Sequence, residues 1–437
     1  MATPKSVRIR SYDVGFGDCF LLTFEYSAAD RRHVLIDFGS FPKPKRKHAG
    51  DMKAIAAHIA QECGTDLRAV VATHRHADHV SGFARNKAGN GSGDVIRACK
   101  PDLVIQPWTE HPDLDPQAKG LGSFAPADKQ HVAGLVDVQR FFGGVVEAAR
   151  SARGWSAALR RELGFLGQNG LGNRSAVENL MSMARTKAGQ KYLRFGSAAG
   201  LGKVLPGVKV RVLGPPTIEQ LAGVEQQRRK DASEFWHLLA AAPPRSPGAR
   251  DKGPFPARWA RATIPGSARW LKVHADALLR QQLLAIVRRM DDVLNNTSVI
   301  LLFEVGGKKL LFPGDAQIEN WSYALGKKNL QKLLAEVDVY KVGHHGSLNA
   351  TPKASLWAKF KKKGKGAGAL RTFLSTESGH HGSSKSKTEV PRRTLVDELE
   401  ARSRFTTTNL KPADRDPKLG KVKRQGTVTW VEETLQV

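Results

Sequence analysis

Apolar and polar positions along the first hundred residues alternate in two periods. Stretches 7–13 (VRIRSYD) and 19–26 (CFLLTFEY) have strand length and flank the glycine turn VGFGD, and 33–39 (HVLIDFG) predicts a third strand ending at Gly39. Residues 52–63 (MKAIAAHIAQEC) instead place Met52, Ile55, Ala56 and Ile59 at helical intervals. LRAVVATH (67–74) and DLVIQPW (102–108) predict two more strands. From 110 to 200 the periodicity is helical, rich in Ala, Leu, Arg and Gly. VKVRVLGPP (208–216) returns to strand, and helical segments then flank a Pro-rich stretch, 241–259. Strand signal resumes with NNTSVILLFEVGGKKLLFPGDA (295–316), a hairpin turning at Gly306-Gly307. A helix over about 317–335, a strand leading into the loop GHHGS, strand LRTFLST, a helix over 391–402 and two strands, RFTTTN and GTVTWVEE, complete the pattern.

Composition adds a charge and removes some classes. The chain of 437 residues carries 69 Lys+Arg against 41 Asp+Glu, a formal +28, which draws polyanions such as nucleic acid. Half of that excess lies in 110–290, where 28 Lys+Arg face 14 Asp+Glu. Cys19, Cys63 and Cys99 form no disulfide framework or zinc knuckle, and the expected setting is a reducing cytoplasm. The basic N-terminus lacks an apolar signal core, and no apolar run reaches membrane-spanning length, so no stable membrane insertion is expected.

The densest chemistry is THRHADHVSG (73–82), directly after the apolar run 69–72. Neutral imidazole and carboxylate suit zinc and related divalent ions. At a strand end the spacing lets His74 and His76 share one metal, while Asp78 and His79 from the next turn face a second. Two ions need an anionic ligand between them, and Asp315 of FPGD has that character.

With these residues the chain resembles the metallo-β-lactamase-fold hydrolases, nearest the hydrolase domain of the DNA-uptake channel protein of competent bacteria. The matching segments are DVGFGDCFLL, VLIDFGS, THRHADHVSGF, NNTSVILLF, LLFPGD and DVYKVGHHGS, in that order. The resemblance implies an α/β fold, an αββα sandwich carrying a large, mainly helical basic insertion. Its first half would occupy 1–109, a helical insertion 110–200, a core strand 201–216, a helical and Pro-rich insertion 217–290, and the second half 291–437.

It also implies the ligand set His74, His76, Asp78, His79 and Asp315, with Asp78, His79 and Asp315 the catalytic group and a last histidine at His344 or His345. His344 is preferred, because the family's ligand sits at the start of this loop. The family's intermediate histidine aligns with Asn295-Asn296. Either amide offers an oxygen or holds a water, Asn296 is carried forward as that position, and His111 is an alternative imidazole. His380 and His381, in a second GHHGS, would approach substrate or leaving group. Asp18 and Asp37 would support the loops under the site. Lys341 and the run 359–365 would contact phosphates.

The implied cofactors are two divalent ions, Zn2+ or else Mn2+. The implied function is a metal-dependent hydrolase, a phosphodiesterase or nuclease that activates water at a dinuclear centre. The alternatives are a small-molecule ester, lactone or phosphorylcholine-type hydrolase, or a nucleic-acid-binding effector module with a degraded metal site.

Overall fold

On strand β2 (Cys19–Glu25) the side chains divide between two apolar environments, as a pleat of period two requires. Phe20, Leu22 and Phe24 join one core cluster, and Cys19 and Leu21 join another. A strand apolar on both faces must be covered on both. The computed structural model describes residues 2–41, 43–44, 49–112, 160, 163, 174–221, 294–382, 388–410 and 422–437, and shows how that is done.

The fold is mixed α/β with two sheets. One has eight strands, in the order β13-β14-β1-β2-β3-β4-β5-β6. These are β1 (Ser6–Tyr12), β2, β3 (Arg31–Phe38), β4 (Leu67–Val71), β5 (Leu103–Pro107), β6 (Gln190–Leu193), β13 (Val422–Gln425) and β14 (Val428–Gln436). From β3 to β6 neighbours run parallel, and the rest are antiparallel. The second sheet has the order β12-β11-β10-β9-β8-β7. Its strands are β7 (Val208–Gly214), β8 (Ile300–Val305), β9 (Lys308–Phe312), β10 (Val339–Lys341), β11 (Arg371–Leu374) and β12 (Arg404–Thr407). Here β7, β8 and β9 are antiparallel and β9 to β12 parallel.

The sheets face each other across phenylalanines. Phe20 of β2 meets Phe312 of β9 edge-on at 5.8 Å and Phe373 of β11 at 6.4 Å, and Phe24 meets Phe303 at 6.0 Å. Helices cover the outer faces. Helix α1 (Met52–Cys63) sets Ile55 and Ile59, and α3 (Ser92–Ala98) sets Ile96, against Leu21, Leu35 and Val70. Between them in sequence lies the short α2 (Ala77–Val80). The second sheet packs Leu302, Leu311 and Tyr340 under Trp321, Leu334 and Leu395. Those three side chains come from α6 (Ile318–Leu325), α7 (Lys328–Ala335) and α8 (Arg393–Arg402).

Most elements fall where the apolar pattern puts them, with several differences. The helix expected over 317–335 is two, because the chain turns at Gly326 between α6 and α7. Strand β13 pairs with β14 as a terminal hairpin that charged residues had hidden. Within 110–200, α4 (Arg174–Leu180) and β6 belong to the layered body, since β6 pairs with β5 from Val104–Gln190 to Pro107–Leu193. A further short helix, α5 (Leu201–Val204), precedes β7. Most of the basic insertion, with Trp155, Trp236, Trp259, Trp270, Arg228, Arg229 and Lys230, lies outside the described residues. Among the described residues no helix is long and apolar enough to cross a membrane.

His33, buried on β3, gives the fold a measurable signature. Its Nδ1 lies 3.0 Å from Thr23 Oγ1, and burial, then the nearby Arg8 charge, pushes its pKa down to about 4. The unfolded chain takes up this proton near 6.5, so the unfolded state binds more protons between those values. Stability at this residue is intact above pH 6.5 and falls as pH drops toward 4, by about 3 kcal/mol in all. Denaturant titrations at pH 7 and pH 4.5 should show a smaller loss in His33→Gln than in the wild type; equal losses would contradict this account.

Candidate metal centre

The site forms where strands of both sheets end. Loop 73–76 and helix α2 follow β4, Asp315 follows β9, and the loop 343–346 follows β10. Two glycine turns press against α2. A Cβ on Gly39 would lie 2.4 Å from the Asp78 carbonyl carbon and the His79 nitrogen. Gly17, at φ +148°, would meet the Gly39 and Asp78 oxygens at 2.3 and 2.7 Å. The glycines of VGFGD and DFGS thus let three backbones meet, which any side chain would prevent.

Under this contact sits Asp37, in the left-handed region at φ +55°. Its Oδ1 accepts from the Thr73 backbone N–H at 2.7 Å, and its Oδ2 accepts from the Thr73 hydroxyl at 2.7 Å and lies 2.8 Å from His79 Nδ1. A carboxylate only accepts, so His79 Nδ1 carries a proton directed at Asp37. The Thr73 hydroxyl has given its own hydrogen to Asp37, so its oxygen accepts from His74 Nδ1 at 3.2 Å. His345 is fixed in the same way by the Ser375 carbonyl, 2.9 Å from its Nδ1. All three imidazoles are therefore anchored through Nδ1 and present Nε2, the usual outer support of metal-ligating histidine.

The Nε2 atoms of His79 and His345 point at carboxylate oxygens, and that of His74 faces His76 Nδ1 at 3.0 Å. His79 Nε2 lies 3.0 Å from Asp315 Oδ2, off the hydrogen-bonding direction. His345 Nε2 is 3.1 Å from Asp78 Oδ2 and 3.4 Å from Asp315 Oδ2. Asp78 Oδ1 has no hydrogen-bond partner. Asp78, His79, Asp315 and His345 offer ligand atoms within 4.8 Å of one another, so this buried group could hold a metal ion. Lone pairs aimed at each other in a dry pocket need a cation or a proton between them. Burial would lower the His79 pKa, but the carboxylates of Asp315, Asp37 and Asp78 raise it well above its ordinary value. His345 is also raised against its burial, chiefly by Asp315 and Asp18.

Lys341 is the built-in cation of the pocket. It is 2 % exposed, forms an ion pair with Asp18, and lies 3.0 Å from the Gly314 carbonyl and 3.3 Å from Asp315 Oδ1. Burial alone would depress its pKa, but Asp18 and Asp315 raise it, so the ammonium stays charged. Asp18, Asp37 and His79 form a second convergent group, and here Lys341 already supplies positive charge to Asp18.

Several expectations need correction. The last histidine of the group is His345, not His344. Both residues of the doublet have positive φ, 44° and 51°, and this turn carries the second ring inward while His344 remains at the rim. His344 Nε2 stands 4.0 Å from Asp315 Oδ2, and what the residue gives Asp315 is its backbone N–H, at 3.1 Å from Oδ1. Its pKa is pushed down to about 3, first by burial; the imidazoles of His345 and His381 add to the effect.

Lys341 is too deeply buried to meet a phosphate. The lysine run beyond it is engaged internally. Lys361 pairs with Glu336, Lys362 with Asp338, Lys363 lies over the Trp357 ring, and Lys365 donates to carbonyls at the end of α8. Asn295, rather than Asn296, faces the histidines, with Oδ1 3.1 Å from His76 Nδ1, while Asn296 Oδ1 accepts from the Asn320 N–H at 3.4 Å. His111 packs tilted against the Tyr192 ring. His380 bonds Glu377 at 2.5 Å and is separated from His345 by the Phe16 ring, whose centroid is 6.1 and 4.5 Å from theirs.

Arg75 had carried no sequence signal. Its guanidinium grips Glu110 with two bonds, 2.9 and 2.7 Å, and ties the loop between His74 and His76 to the end of β5. A scan against protein-family models finds no match, and a search of curated proteins likewise returns none.

Asp37→Asn tests the tautomer control. Asparagine tolerates the left-handed backbone but can no longer accept both hydrogen bonds at Oδ2. Affinity for Zn2+ should fall by about 10- to 100-fold, with the circular dichroism spectrum of the metal-free protein unchanged. Unaltered affinity would remove Asp37 from this role.

Proposed function

We propose that the chain is a metal-dependent hydrolase of the metallo-β-lactamase type, an αββα sandwich that holds two divalent ions and cleaves phosphodiesters. One observation carries the reading: Asp315 Oδ2 lies 3.0 and 3.4 Å from the Nε2 atoms of two histidines, each anchored through Nδ1. His74 and His76 would hold one ion, Asp78, His79 and His345 the other, and Asp315 would lie between them. Bound divalent ions supply Lewis acidity, lowering the pKa of water toward neutrality and offsetting charge on the scissile group.

The chain's own groups set up the rest. Lys341 and the His344 N–H occupy Asp315 Oδ1, which leaves Oδ2 as the oxygen directed at the histidines. Asp78 Oδ1, buried and unpartnered, is the atom available to take the proton of the attacking water. Asp37 and the Ser375 carbonyl keep the ring nitrogens from turning away. Phe16 closes one side of His345 to solvent.

The formal charge of +28 supports a polyanionic substrate, drawn in by a long-range field. A small-molecule ester or lactone is the second reading, because the described lysine run spends its charge on internal partners.

Metal removal is the direct test. Protein treated with chelator and dialysed should lose hydrolysis of bis-p-nitrophenyl phosphate and regain it with Zn2+ or Mn2+. Asp315→Asn should reduce kcat by about 100-fold or more with the fold retained. Parallel assays on single-stranded DNA, duplex DNA, RNA and a lactone would rank the substrates. Undiminished turnover by metal-free protein would refute the reading.

A further inference from the structure

Lys341 ends β10 and Asp18 lies in the turn between β1 and β2, so their ion pair joins the second sheet to the first, with side chains 2 % and 0 % exposed. A lysine ammonium has three hydrogens and no lone pair. Around this one stand Asp18 Oδ2, the Gly314 carbonyl at 3.0 Å and Asp315 Oδ1 at 3.3 Å. Each hydrogen has one acceptor, and all three acceptors are oxygens of the kind that suit Mg2+, Ca2+ or Mn2+. The Gly314 carbonyl is brought there by a turn at φ +58° tight against Thr73, where a Cβ would come within 2.7 Å of the threonine side chain. The imidazoles near Asp18 direct their hydrogens elsewhere. His345 Nδ1 and His79 Nδ1 stand 3.6 and 3.7 Å from its oxygens, and they serve the Ser375 carbonyl and Asp37. Asp315 borders both places, with Oδ1 at the ammonium and Oδ2 at the histidines.

We propose that Lys341 is a tethered cation filling a third cation position, made by Asp18 Oδ2, Asp315 Oδ1 and the Gly314 carbonyl, and that it thereby limits the pocket to two divalent ions. The count of two rests on the reading above; the filling of the third position by the ammonium does not. Lys341 is in this sense a positioning residue. It holds one oxygen of Asp315 away from the ions and leaves the other to face them. Because the ammonium is attached to the chain, the position stays filled at any metal concentration. Without it, the buried carboxylates of Asp18 and Asp315 would lack a counter-charge, and a free cation would be drawn to the same oxygens.

The experiment dialyses metal-free wild type, Lys341→Ala and the double variant Asp18→Asn/Lys341→Ala against Mn2+ or Zn2+ and measures bound metal per chain by elemental analysis. Lys341→Ala should hold about one Mn2+ more than the wild type, and gain less with Zn2+, because the vacated ligands are all oxygen. Asp18→Asn keeps the shape but removes the charge, so the double variant should return to the wild-type count. Thermal unfolding gives a second readout should Lys341→Ala fold poorly without metal. Propylammonium, which replaces the missing carbons and the charge, should raise its Tm by about 5 °C more than it raises that of the wild type, and 1-propanol should not. A lysine that only fills space predicts fewer bound ions in Lys341→Ala and equal rescue by the alcohol; either result would overturn the proposal. So would an extra ion that survives Asp18→Asn. The wild-type count by itself tests the two-ion reading: a wild type holding no divalent ion would refute that reading, and the difference between Lys341→Ala and wild type would still decide the role of Lys341.

Discussion

Four carboxylates, Asp18, Asp37, Asp78 and Asp315, lie in one pocket, none more than 3 % exposed. Burying so much negative charge is costly unless each group finds a cation or donors. Lys341 answers for Asp18 and for one oxygen of Asp315, and Thr73 and His79 answer for Asp37. What remains uncompensated is Asp78 and the second oxygen of Asp315, which face His79 and His345. The deficit is local, so additional positive charge belongs at that place. The same carboxylates make His79 and His345 hold their protons more strongly than burial alone would permit.

The residues meeting this demand come from distant parts of the chain. His74 to His79 hang from the parallel half of the eight-stranded sheet, and Asp315, Lys341 and His345 from the parallel half of the other. Parallel strands place successive C-terminal ends along one edge, so loops following β4, β9 and β10 gather where the two sheets meet. The register of one sheet on the other is held by Phe20 against Phe312 and Phe373. The pocket therefore exists only when the two sheets are docked, and an ion bound there would stabilise the docked state by mass action.

Much of this was legible in the sequence. Strands with apolar runs on both faces, such as those around Leu35, Val70 and Leu302, announced themselves, and so did the crowded ligands of THRHADH and FPGD. The edge strands of the eight-stranded sheet did not, because β13 (VKRQ) is mostly solvent-facing and β6 (QKYL) is short and half-exposed, so neither shows a clean apolar period. The histidine doublet was ambiguous for a different reason. Nothing in GHHGS states that two non-glycine residues adopt positive φ, and that turn decides which ring faces inward. The lysines misled because sequence reports charge and not its partner. Asp338, which holds Lys362, lies 24 positions away, and Asp18, which holds Lys341, is farther still along the chain.

The asparagine pair shows where physical reading overtakes pattern. Asn295 and Asn296 are adjacent and chemically identical, and no composition argument separates them. Both lie in the turn that leads into β8, and their side chains reach different partners. One amide meets His76 and the other meets the first turn of α6. The second contact is a modest hydrogen bond at 3.4 Å, yet it consumes the Asn296 oxygen and leaves the Asn295 oxygen as the one directed at the histidines. Asn320 then uses its own amide to hold the Ser298 carbonyl at 2.8 Å, and Ser298 holds the Asp315 backbone. Asn295 and Asp315, 20 residues apart in sequence, are thus tied through a single serine, so a change in this turn would be felt at both.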